Sequence, residues 1–111
     1  MSIRTNLEHI RERIALAAAR AGRDPSEITL VAVSKTKPCE AIREAVSAGA
    51  TILGENRVQE AESKIAELHD LPAVWHLIGH LQTNKANKAV LLFDLIHSID
   101  SPRLVEAVNR A

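Results

Sequence analysis

Apolar positions recur at spacings of three and four through the first segment: Ile3, Leu7, Ile10, Ile14, Ala17 and Ala21. That spacing lays one stripe along a helix. Ser2, or Thr5 paired with Glu8, would cap its start, and Gly22 is a natural stop before the turn "RDPSE". The period then changes. Four short, β-branched runs, "ITLVAVS", "TILG", "VWHLIG" and "LIHSI", begin at Ile28, Thr51, Val74 and Leu95, in steps of 23, 23 and 21 residues. They are continuously apolar rather than alternating, as in a parallel strand buried on both faces.

A helical pattern follows each run. Pro38 stands in the first turn of a helix carrying Ala41, Ile42, Ala45 and Val46, which Gly49 closes. Asn56 with Gln59 has the spacing of a capping box ahead of Val58, Ala61, Ile65 and Leu68. Thr83 or Asn84 opens a third helix reaching about Phe93. Ser101 caps a fourth, started by Pro102, with Leu104, Val105 and Val108 inward. Four strand–helix alternations predict an α/β fold with a parallel sheet and right-handed crossovers. An open doubly wound sheet and part of a (β/α)₈ barrel both fit. The single unit spans residues 1–111, without linker or low-complexity segment.

Composition narrows the function classes. Fourteen Lys and Arg balance fourteen Asp and Glu, so no net charge draws the chain to nucleic acid or an anionic membrane. Aromatic residues are 2% of the chain and tyrosine is absent, which leaves no base-stacking platform and no tyrosine general base. The lone cysteine, Cys39, cannot form an internal disulfide, in keeping with a cytoplasmic location. The first segment is charged throughout and reads as neither signal peptide nor membrane span.

Both candidate architectures bind ligands beyond the carboxyl ends of their strands. The residues there are Ser34 and Lys35; Gly54, Glu55 and Asn56; Gly79 and His80; Ser98 and Asp100. Lys35 is either a lysine snorkelling to solvent or an amine placed to form a Schiff base with an aldehyde. Asn56 either caps its helix or donates to a ligand. His76 and His80 are four apart, but Gly79 interrupts them and no metal-ligand set is expected. Cys39 reads as a packing residue, although a helix start can lower a thiol pKa. The run "EAESKIAE", residues 60–67, reads as a solvated helix face.

Together, "LVAVSKTKP", "ILGENRVQEAESK", "WHLIGHLQTNK" and "HSID", in this order, resemble the pyridoxal phosphate homeostasis protein family, related to the N-terminal barrel of alanine racemase. The resemblance runs along essentially the whole chain. It implies the N-terminal half of a (β/α)₈ barrel, a leading helix plus four βα units. It also implies a non-enzymatic protein that holds pyridoxal 5′-phosphate (PLP) as a Schiff base and helps control its level. Carried over, Lys35 is the lysine that bonds the cofactor, Asn56 lies near it, and His80, Gln82, Asn84 and Lys85 line the same face.

The chain departs from this family in length, since such barrels typically need ~250 residues. The family's phosphate-binding segment and the arginine facing the pyridine nitrogen fall outside it. A half barrel with two open strand edges is expected to be a fragment that self-associates or is marginally stable. Three rival readings remain. A PLP-dependent racemase would use Lys35 on one face of the substrate and needs a second base on the other. A cofactor-free Schiff-base aldolase would pair Lys35 with Glu55 or Asp100. A half barrel that binds nothing would only associate.

Overall fold

The computed structural model describes residues 2–99 and 101–111. Helix α1 (Ile3–Arg20) leads into β1 (Ala32–Val33), α2 (Cys39–Ser47), β2 (Ile52–Glu55) and α3 (Val58–Glu67). Then come β3 (Val74–Leu77), α4 (Ala86–Leu92), β4 (Leu95–Ile96) and α5 (Pro102–Arg110). The four strands form one parallel sheet in the order β1-β2-β3-β4. A doubly wound sheet reverses its strand order at a switch point and carries helices on both faces. Here the order never reverses. It is the arrangement of four consecutive units of a (β/α)₈ barrel, half its eight strands.

The register explains which face is filled. Ala32, Leu53 and Trp75 lie in one row across the sheet, and Glu55, Leu77 and Ile96 lie in another. Both rows face the helices, where Leu53, Trp75 and Leu77 join Ile42, Val46, Val58, Ala61, Leu68, Phe93 and Leu104 in one core. Truncating a fully buried leucine such as Leu53 or Leu77 to alanine removes about 2–5 kcal/mol. The alternate row, Val33, Gly54, His76 and Leu95, points the other way. There Val33 and Leu95 are each about half exposed.

Local signals set the helix boundaries. Ser2 accepts from the Thr5 backbone N–H and caps α1, while Ser101 does the same for α5 through Leu104. Gly22 and Gly49 end α1 and α2 at φ values of 69° and 102°, where a side chain would be strained. Arg4 and Arg11 of α1 donate to the carbonyls of Ser47 and Gly49, at the end of α2 where helix carbonyls lack partners.

Four expectations need correcting. The run from Ile28 gives the short strand β1, because it pairs with β2 alone, and Val33 is 50% exposed rather than buried. Of the α1 stripe, Leu7 is buried but Ile10, Ala17 and Ala21 are exposed. On α5, Leu104 is buried while Val105 is 45% exposed. Pro38 is the N-cap of α2 rather than a residue inside its first turn.

Candidate functional site

The carboxyl ends of the four strands are tied to one another. Ser34, just after β1, donates its backbone N–H to the Gly54 carbonyl on β2. Gly79, after β3, sits against the backbone of Asn56, after β2: a Cβ on Gly79 would fall 2.4 Å from the Asn56 oxygen. Only glycine permits that approach. Ser98, after β4, hydrogen-bonds the Gly79 carbonyl. These ties form a continuous rim at the end of the sheet where such folds bind ligands.

Lys35 stands on this rim, exposed, in a tight turn closed by the Lys37 N–H donating to the Ser34 carbonyl at 3.1 Å. Its neighbour Thr36 has φ of 61°, the one non-glycine positive φ among the described residues. Turns of this kind normally put glycine there, and a β-branched residue in that region is strained. Pro38 restrains Lys37 to extended backbone, so the chain leaves the turn in a fixed direction.

Beneath the turn lies a buried polar network. Glu55, fully buried at the end of β2, accepts from Lys64 Nζ at 3.1 and 3.2 Å and from the Ser34 hydroxyl. Lys64 Nζ also donates to the Ser34 carbonyl at 2.5 Å and approaches Glu60 at 3.7 Å. Glu60 in turn accepts the Thr36 N–H at 2.9 Å. This corrects two expectations. Residues 60–67 do not form a solvated face, since Ala61 and Lys64 are buried; Lys64 points inward because an ion partner waits at the strand end. Glu55 is no acid or base for Lys35, because it is sealed on the helix side and occupied by Lys64. Asp100, the other carboxylate considered for that role, lies outside the described residues.

Asn56 and His80 meet in a cavity of about 190 Å³ further along the rim, together with Arg57, Gln82 and Lys85. Asn56 does not cap α3: Arg57 holds that position, and no side chain bonds the helix start. Asn84 lines a different cavity, with Arg103 and Arg110. Lys35 lies on the neighbouring turn and is not part of the Asn56–His80 cavity wall. An amine at the strand ends, beside a polar cavity bearing two cations, suits an aldehyde that carries hydrogen-bonding and anionic groups.

Two other polar groups have separate explanations. Cys39 donates its thiol proton to Glu67 at 2.9 Å, and that carboxylate, with burial, raises the thiol pKa. The helix start therefore does not activate it. His76 Nδ1 and His97 Nε2 are 3.0 Å apart. Burial foremost, and then the charge of His97, hold the His76 pKa below its ordinary value of 6.5. Thr36, Glu60 and Lys64 were invisible as site residues in the sequence. Their signal is a fold contact between a strand end and the middle of the next helix but one.

No protein-family model matches the chain. Over 107 residues it is 48% identical to the pyridoxal phosphate homeostasis protein of Escherichia coli (strain K12), covering 94% of this chain and 46% of that protein. The structure of PipY from Synechococcus elongatus PCC7942, solved with PLP bound, aligns with a TM-score of 0.74 at 57% identity, over 91% of this chain and 47% of PipY. An unknown protein from Bifidobacterium adolescentis aligns with a TM-score of 0.85 at 34% identity, over 97% of this chain and 48% of that one. The chain spans about half the length of the curated relatives it matches. It is a homologue of the pyridoxal phosphate homeostasis proteins across that half.

Proposed function

We propose that this chain binds PLP through a reversible Schiff base at Lys35, with Asn56 and His80 beside the cofactor, and that it carries the cofactor rather than turning over a substrate. The observation that carries this reading is a strand-end lysine in a chain 57% identical to half of a protein solved with PLP bound. PLP supplies an aldehyde; condensation with a primary amine gives an imine and releases one water.

The chain's own residues fix the amine and its surroundings. The Ser34–Lys37 turn holds Lys35 on the ligand side of the sheet. Asn56, His80 and Gln82 bring polar side chains, and Arg57 and Lys85 positive charge, to the adjoining cavity.

The test is to mix the chain with PLP, record the visible absorption band, reduce with borohydride and map the modified lysine. Modification concentrated at Lys35 is the expected result. Modification spread evenly over Lys35, Lys37, Lys64, Lys85 and Lys88 would defeat the reading. Exchange of an amino-acid α-proton in deuterated water would show turnover instead.

A further inference from the structure

The turn that carries Lys35 is gripped on both sides by α3. Before Lys35, the Ser34 carbonyl accepts from Lys64 Nζ at 2.5 Å. After it, the Thr36 N–H donates to Glu60 at 2.9 and 3.3 Å. Lys64 is itself anchored by Glu55, and Glu60 lies one helical turn before Lys64. Between these two grips Thr36 keeps a left-handed backbone, at φ of 61°, that a β-branched residue does not hold unaided. Backbone strain of this kind persists only where its surroundings over-determine it. Here the surroundings are two side chains of one helix.

We propose that Glu60 and Lys64 are positioning residues for Lys35: they hold the Ser34–Lys37 turn in its strained form, and that form aims the Lys35 amine at the ligand. The proposal rests on the reading of Lys35 as the PLP-bonding lysine. Neither residue touches the ligand. Glu60 restrains the peptide that leaves Lys35, and Lys64 restrains the peptide that enters it. Without the Glu60 carboxylate, Thr36 relaxes to negative φ and the Lys35 side chain leaves its direction. A glycine at position 36 holds left-handed backbone without help, so it makes the Glu60 grip dispensable.

The experiment uses the whole chain with PLP as probe. The readout is borohydride-trapped modification at Lys35, with Lys88, which lies outside the cavity, as internal reference, and folding is followed by thermal melting. Glu60→Ala is expected to lower Lys35 modification about fivefold or more, the effect of losing one charge-assisted hydrogen bond, with Lys88 modification unchanged. Glu60→Gln, which keeps an acceptor oxygen, retains most of the modification. Thr36→Gly alone stays near the unmodified chain, and Thr36→Gly in the Glu60→Ala background restores what was lost.

Unchanged Lys35 modification in Glu60→Ala overturns the proposal. So does a loss that Thr36→Gly fails to restore, since that marks a general effect on folding. If Glu60→Ala does not fold, Glu60→Gln and Thr36→Gly decide: a fivefold loss in Thr36→Gly, or in Glu60→Gln, overturns the proposal, and near-normal modification in both upholds it. If the unmodified chain reacts at Lys35 no faster than at Lys88, the Schiff-base reading has failed and the proposal falls with it. A specific Lys35 reaction indifferent to Glu60 removes the proposal alone.

Discussion

Lys64 shows how a single residue escapes sequence reading. It sits four residues after Glu60 on a charged stretch, the spacing of an exposed helix pair. Its main partner, Glu55, belongs to a different element, and only the packing of α3 on the sheet brings the two together. Breaking a buried pair leaves one charge stranded, so Lys64→Met should cost about 3–5 kcal/mol. Replacing Glu55 with Met as well should restore much of that loss, because the stranded charge is gone. Urea denaturation of the single and double variants measures both. His76 gives the pH dependence. Its folded pKa lies below the ordinary 6.5, so the unfolded chain takes up a proton that the folded chain resists. Stability from this group is therefore present above 6.5 and is lost as the pH falls below it. Urea midpoints measured from about pH 7 to about pH 5 should fall, and His76→Gln should flatten that slope. Lys35 and Asn56 were legible as residues just after strands β1 and β2, the end of the sheet where such folds bind ligands. The left-handed backbone of Thr36 beside Lys35 and the packing of Gly79 on the Asn56 backbone appear only in three dimensions.

At the scale of elements, the repeat was legible: four apolar runs at nearly equal steps gave four parallel strands in chain order. Strand length was not. An apolar run shows what can be buried, but pairing decides how much of it becomes sheet. β1 and β4 each pair on one side and shrink to two residues, whereas β2 and β3 pair on both and keep four. Helix starts divide in the same way. Ser101 matched its cap spacing and takes the role, accepting the Leu104 N–H at the start of α5. Asn56 matched as well, yet α3 begins later, at buried Val58, and Gly79 packs on the Asn56 backbone instead. Ser101→Ala should therefore cost about 1 kcal/mol, seen as a lower melting temperature, and should loosen α5 first. Hydrogen exchange on the Leu104 amide checks that locality.

For the whole molecule, the open sheet face is the dominant fact. A folded monomer of 12.1 kDa is expected to expose about 6,000 Å² and to have a radius of gyration near ~13 Å. This chain exposes 7162 Å², and its radius of gyration is 15.6 Å. Part of the excess lies on the row away from the helices, where Val33 and Leu95 meet water. No helix among the described residues is long and apolar enough to cross a membrane. Apolar surface already wet in the folded state adds nothing new to solvent on unfolding. Both the denaturant slope and the heat-capacity increment scale with newly exposed surface. The heat-capacity increment of this chain should thus fall below the usual ~12–15 cal/mol/K per residue, measured by calorimetry. A shallow, broad transition would then report how much of the sheet stays hydrated, and a ligand or protein covering that face would sharpen it.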